Sequence, residues 1–403
     1  MIIAVCALGI AQITAWGTSY YCLGVLAGPI AAETGWSLGL VYSGFTVGLL
    51  AMGVVSAWAG RVIDRHGARG IMSAGIVLVS ASLYALAQVR TEAAYLAAWA
   101  AIGIGMRFCL YDAAFVALVQ IVPARGRQAI SYLTLFGAFA SSVFWVLGHY
   151  FNEAWGWRRT LELFALINAG VCLPMILAGL ARRDHRTAGD AQAPTAAAHD
   201  GPPLQGRARA IAIGLFAAIM SLNGFVFGVV TVQLVPLLEA AGLTAAAAVW
   251  IASLKGFAQF GGRLVEIFFG RNLRAITVAR LAIGVLPVSF LLLLFAGANV
   301  QVILAFTLLM GASQGVITIV RGAVPLALFG ANGYGAVLGF IATPILVVNA
   351  ASPSLFALVV DRWGWQAAQQ ALLACAAASC LAMELMSRWY ERNRGTASRR
   401  SPG

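Results

Sequence analysis

Six ionisable side chains stand inside long apolar stretches of the sequence: Arg107, Asp112, Lys255, Arg263, Glu266 and Arg321. A charged group at bilayer depth costs about 2.5–3.5 kcal/mol on insertion scales, so it faces a cavity or a partner. Lys255, Arg263 and Arg321 against Asp112 and Glu266 leave a cationic excess, which favours an anionic ligand, with Arg107 assigned to neither side. Arg321 can grip a carboxylate with two parallel N–H donors, and Arg263 offers the same fork. Lys255 is the only lysine of the chain and supplies a point charge. Asp112 and Glu266 are the groups that can take up and release a proton while changing partners. The alternative for each is a permanent structural ion pair. Arg263 and Glu266, three residues apart, share a helix face and can pair. Arg107 precedes Asp112 by five residues, about 140° apart on a regular helix, and is expected on a different face. Tyr20, Tyr111, Asn223 and Gln314 are candidates to shape the substrate site, as are Gln12 and Trp16, each against a reading as packing.

The elements that must carry these groups follow from composition. Of 403 residues 61% are apolar and only 10% charged, against about 25% charged in an ordinary soluble domain. A soluble chain of this size cannot bury so much apolar surface. Apolar runs fall near 3–30, 38–59, 70–89, 94–122, 129–151 and 160–180, and again near 209–238, 244–270, 276–297, 300–329, 334–360 and 366–388. One crossing takes roughly 20 residues, so twelve transmembrane helices are expected in an all-α membrane protein.

Charge gives the orientation. The net charge is +12, and 25 of the 26 cations are arginine. With both termini in the cytoplasm, 18 cations fall on the inner side and 4 on the outer, as the positive-inside rule requires. That distribution assigns the charge to topology and not to nucleic acid. The six cysteines lie in apolar runs with no C-x-x-C spacing, and are expected as free thiols. Trp155-Gly156-Trp157 recurs as Trp363-Gly364-Trp365, 208 residues later, which marks two halves. The expected division is a first half over 1–181, a cytoplasmic linker over 182–208, a second half over 209–390 and a cytoplasmic tail over 391–403. No Walker loop, G-x-S-x-G, H-E-x-x-H or Cys/His metal spacing occurs, so neither an enzyme nor a cofactor or metal is expected.

After the second run the sequence reads Gly60-Arg-Val-Ile-Asp64-Arg65-His-Gly67-Ala-Arg69. This resembles the G-x-x-x-D-R-x-G-R-R loop motif of the major facilitator superfamily, departing only at Ala68. The resemblance implies two pseudo-symmetric six-helix halves with a cavity lined by spans one, four, seven and ten. It implies a cytoplasmic gate at Gly60, Asp64, Arg65, Gly67 and Arg69. It also sets Asp112 opposite Arg321. Pro29-Ile-Ala-Ala-Glu33-Thr-Gly35-Trp36-Ser37 looks like the P-x-x-x-E-x-G-W-S signature of the monocarboxylate transporter and oxalate–formate antiporter branch. In that branch span eight carries an arginine, as at Arg263. Ile267 replaces the expected glycine, and the eleventh run lacks the branch's lysine.

The expected function is a secondary active transporter of the inner membrane, monomeric, moving a small organic anion of carboxylate type by proton symport or anion exchange. Arg321, Arg263, Lys255, Tyr20, Tyr111, Asn223 and Gln314 would bind substrate, and Asp112 and Glu266 would couple protons. Two alternatives stand beside it: export of amphipathic drugs, and a ligand sensor that does not transport.

Overall fold

The computed structural model describes residues 1–181 and 203–398, so most of the expected linker lies outside the described residues. The described residues are helical almost throughout, and they form two compact units. Among the described residues, 1–181 and 333–343 belong to the first, and 203–332 and 344–398 to the second.

The first unit begins with α1 (Ile2–Ala15), a π-helical turn (Trp16–Tyr20), α2 (Leu23–Thr34), α3 (Leu38–His66) and α4 (Ala68–Ala87). It continues through α5 (Glu92–Cys109), α6 (Tyr111–Ile121), α7 (Gly126–Gly137), α8 (Ala140–Ile167) and α9 (Leu173–Gly179). The second holds α10 (Gly206–Ala240), α11 (Ala245–Phe269), α12 (Ala275–Phe295) and α13 (Val300–Phe329). The last helix, α14 (Tyr334–Ser398), starts in the first unit and passes into the second between Thr343 and Pro344.

Among the described residues, nine helical stretches are long and apolar enough to cross a membrane. Their outer surfaces agree: Val54, Val146 and Phe295 are 79%, 69% and 81% exposed, an arrangement that lipid tolerates and water penalises. Two of the nine stretches, Pro123–Gly179 and Tyr334–Arg392, hold 57 and 59 residues. At 1.5 Å per residue each is roughly 85–90 Å long, nearly three times the hydrocarbon thickness of about 30 Å. Each is interrupted at the middle glycine of its Trp-Gly-Trp motif. Gly156 has φ 77° and ψ 167°, and Gly364 has φ 79° and ψ 174°. The repeat read in the sequence is therefore a repeat of conformation, at a φ that a Cβ would strain.

The signature around Glu33 builds a corner. Gly35, at φ 73°, ends α2 in the left-handed conformation, and the Ser37 hydroxyl caps α3 by accepting from the Leu40 N–H at 3.1 Å. The Trp36 ring rests on Tyr95 at 5.3 Å. Glu33 accepts from Arg158 Nε at 2.8 Å, while Arg158 Nη1 donates to the carbonyls of Ala87 and Val89. Arg158 follows the first Trp-Gly-Trp, so it ties the ends of α2 and α4 to that break.

Small residues set the helix spacing, as expected where lipid supplies no drive for helix association. In the first unit Gly103 of α5 lies against the Gly48 backbone carbonyl of α3. A Cβ at Gly103 would collide with that carbonyl, and backbone cannot swing aside. Gly103→Ala is expected to destabilise by about 1–3 kcal/mol, read as a lowered thermal midpoint in detergent. In the second unit the core centres on Phe290 and Phe306, with ring centroids 5.4 Å apart, among Val229, Leu286, Met310 and Phe356.

Candidate functional site

The helix of the fourth run is broken. Leu110, at φ −79° and ψ −167°, separates α5 from α6. The break places Arg107 in the last turn of α5 and Asp112 in the first turn of α6. Each charge then faces the helix end that favours it, a cation by the last carbonyls and a carboxylate by the first N–H groups. It also turns the two side chains together: Arg107 Nη1 donates to Asp112 Oδ2 in an ion pair whose side chains are 2% and 4% exposed. The expectation that these residues lie on different faces is thereby corrected. The 140° separation assumed an unbroken helix, and the break removes it.

The first unit also gathers aromatic rings into a cluster. Trp16 lies 4.8 Å from Tyr20 and 5.1 Å from Tyr111 between ring centroids. The Gln12 amide donates to the Cys109 carbonyl at 2.8 Å and accepts from the Trp16 indole N–H at 3.1 Å. Tyr111 donates to the Thr134 carbonyl at 3.4 Å, with its hydroxyl over Gly137. Tyr20, Trp16 and Tyr111 thus form one ring cluster, and Tyr111 directly precedes Asp112 in the chain. Trp16 and Gln12 belong to it although their residue types alone gave them no rank above their neighbours.

The residues of the G-x-x-x-D-R-x-G motif occupy the α3–α4 corner. Gly60, Asp64 and Arg65 lie in the last two turns of α3, Gly67 makes the turn at φ 83°, and Arg69 is the second residue of α4. The Asp64 carboxylate accepts from the backbone N–H of Gly335 at 3.0 Å and of Ala336 at 2.8 Å. These amides open α14, where unpaired N–H groups and the helix dipole both favour an anion. Gly60 lets the corner reach them, since a Cβ there would meet the Gly335 carbonyl.

In the second unit α11 and α13 cross through Gly262, Gly311 and Gly315, each against backbone of the other helix. The crossing carries the second group of candidates. Arg263 and Glu266 are buried on α11, and Arg263 Nε donates to the Gly315 carbonyl at 3.4 Å. Lys255 Nζ lies 5.6 Å from the centroid of the Phe227 ring, a cation–π distance. Arg321 is half-buried on α13. Gln314 precedes Arg321 by seven residues, which puts both on one face of α13 about 10 Å apart. Gln314 is 4% exposed, and neither atom of its amide has a hydrogen-bond partner among the described residues. The Asn223 amide N–H₂ donates to the Ile219 carbonyl at 2.9 Å and to Ser379 Oγ at 2.6 Å, joining α10 to α14, while its Oδ1 is buried with no hydrogen-bond partner among the described residues.

A chain of long apolar helices with a buried ion pair inside has the character of a multi-pass membrane protein. The comparisons define it further. The family model of the Major Facilitator Superfamily matches residues 8–298, well over half of the chain, and the protein belongs to that family. Members are secondary transporters that move small molecules across the membrane by alternating access. The structure is similar to that of the human organic anion transporter MFSD10 (TETRAN), at 16% identity and a TM-score of 0.75, covering 95% of this chain and 99% of that one. It is similar to a bacterial homologue of the iron transporter ferroportin in the outward-facing state, at 14% identity and a TM-score of 0.77, over 96% and 99% of the two chains. The FucP transporter in the outward conformation matches at 14% identity and a TM-score of 0.68, over 94% and 98%. At such identities these likenesses carry the fold alone. No curated protein matches the chain in sequence.

Proposed function

We propose that the protein carries a small organic anion with a carboxylate group across the inner membrane, by proton symport or anion exchange, as a monomer with both termini in the cytoplasm. Twelve crossings divided into two six-helix halves fit the chain. The nine apolar stretches include two that are broken at Gly156 and Gly364 and are each long enough for two crossings, and α11 supplies one more despite its three charges. The P-x-x-x-E-x-G-W-S stretch favours the monocarboxylate transporter and oxalate–formate antiporter branch.

The observation that carries the anion reading is the unsatisfied amide of Gln314 on the face of α13 that also bears Arg321, with Lys255 and Arg263 on the crossing helix. A buried amide with no partner costs about 1–3 kcal/mol. A carboxylate ligand with its hydration relieves that cost, because it accepts from Gln314 Nε2 while the cations hold its charge. Asp112, paired with Arg107 in the first unit, is the candidate coupling carboxylate: protonation releases the arginine. Glu266 beside Arg263 in sequence is the second.

Arg321→Ala and Arg263→Ala are each expected to lower carboxylate uptake into proteoliposomes at least tenfold; uptake at the wild-type rate in both would sink the anion site. Asp112→Asn is expected to abolish accumulation driven by an imposed pH gradient. Undiminished gradient-driven accumulation in that variant would remove Asp112 from coupling.

A further inference from the structure

We propose that the first unit bends at a hinge where α8 passes into α9, and that this hinge serves the alternating access of the family. A second π-helical turn, Asn168–Cys172, stands there. Extra-wide helical turns of this kind occur mostly as single bulges at functional sites. This one packs against α1, whose own wide turn, Trp16–Tyr20, follows directly. The two segments run antiparallel: Gly179 of α9 lies against Ala7, and Cys172 Sγ donates to the Ala11 carbonyl at 3.4 Å. One turn before Cys172, Asn168 reaches the level of Trp16. Two neighbouring helical segments therefore carry their wide turns at one depth, where both can bend together.

The local sequence accounts for the turn and its softness. Pro174, at the start of α9, has no N–H for the Gly170 carbonyl four residues back, and the helix widens around it. Gly170 itself is exposed, and a Cβ there would meet nothing within 4 Å. Its φ is not positive either, so neither packing nor backbone conformation calls for a glycine. What remains is its softening of the helix, which an alanine would remove. The buried polar groups distinguish the two turns. In α1's turn Thr18 and Ser19 are fully buried, and their hydroxyls donate to the carbonyls of Thr14 and Ala15 at 2.8 and 2.6 Å. Asn168 is fully buried too, and neither atom of its amide has a hydrogen-bond partner among the described residues. Buried amides are almost always paired, and an unpaired one weighs against the state that leaves it so. A leucine of similar size would pack there without that cost. A shift of the turn that pairs the amide lifts the cost, so Asn168 brings the bent state closer in energy to the straight one.

Hydrogen exchange of the detergent-purified protein, read by mass spectrometry, measures the bending without any substrate. Amides of 168–174 are expected to exchange faster than those of 160–166, the turns just before them. Gly170→Ala is expected to slow exchange at 168–174 about fivefold, the factor by which alanine favours a helix over glycine. Gly214→Ala is the control: its Cβ also meets nothing within 4 Å, but it stands inside the regular helix α10, and exchange at 168–174 is expected to stay as it was. Asn168→Leu is expected to slow that exchange and to raise the thermal midpoint by about 2–4 °C. In proteoliposomes, Gly170→Ala is expected to shift the ratio of alkylation at single cysteines on the two sides of the membrane by about the same fivefold. Exchange at 168–174 no faster than at 160–166, or untouched by Gly170→Ala, would overturn the hinge. An unchanged alkylation ratio in Gly170→Ala would overturn its part in alternating access. A lowered midpoint in Asn168→Leu would show that the amide is satisfied in the resting fold and would strike it from the hinge, which Gly170→Ala tests independently.

Discussion

Arg107→Met and Asp112→Leu, made singly, are each expected to destabilise the protein by about 3–5 kcal/mol, and the double variant by less than either. The pair is almost wholly removed from water. Taking away one member leaves the other charged and buried, and that residual charge carries most of the penalty. Taking away both removes the charges together and leaves apolar side chains of similar bulk, which such sites tolerate or prefer. At about 2–4 °C per kcal/mol for a unit of roughly 200 residues, the single variants should melt on the order of 10 °C lower. The check is a double-variant cycle on thermal midpoints in detergent. Destabilisations that simply add would show that the two residues do not depend on each other. If the pair serves coupling, the double variant is stable and loses gradient-driven accumulation, so stability and function part company.

Asp64→Asn is expected to shift the balance between transporter conformations tenfold or more. Two backbone N–H groups donate to the two oxygens of this carboxylate. Asparagine keeps one acceptor oxygen, presents an amide N–H₂ to the second donor, and loses the charge that the helix start favours. Hydrogen bonds to a charged group contribute about 1.5–3 kcal/mol, and each 1.4 kcal/mol is a factor of ten. The contact matters beyond its energy because α14 begins in the first compact unit and passes into the second at Pro344. Proline lacks the N–H and disfavours a straight helix there, so the Asp64 contact holds one end of an element that can bend. Alkylation of single cysteines placed on either side of the membrane reads the shift. Unchanged labelling on both sides would mean that the contact is made equally in every conformation.

How much of this was legible in the sequence depends on how local the cause is. The turn of the α3–α4 corner was, because Gly67 acts where it stands, whereas the amides that Asp64 accepts from, at Gly335 and Ala336, lie far along the chain and only the fold shows them. The two Trp-Gly-Trp motifs could be paired because a glycine at positive φ leaves a residue-level mark. The break at Leu110 could not. Leucine is a good helix former, and no glycine or proline marks the site. The break is stabilised by where it puts Arg107 and Asp112, which only the fold shows. Periodicity on an unbroken helix therefore separated two residues that touch. Asn223 could not be ranked from sequence either: Ser379, far along the chain, takes its amide N–H₂, while its oxygen is buried with no hydrogen-bond partner among the described residues. Gln314 reads the same way in sequence, and only the absence of any partner for its amide among the described residues sets it apart.

The most direct test is counterflow in liposomes that contain the purified protein and are loaded with unlabelled carboxylate, with the same carboxylate radiolabelled outside. The expected result is transient accumulation of label above equilibrium, lost in Arg321→Ala. Label that binds to the protein but never accumulates would make the chain a ligand sensor. Accumulation of cationic or neutral amphiphiles alone would contradict the anion site and recast its buried cations as structural.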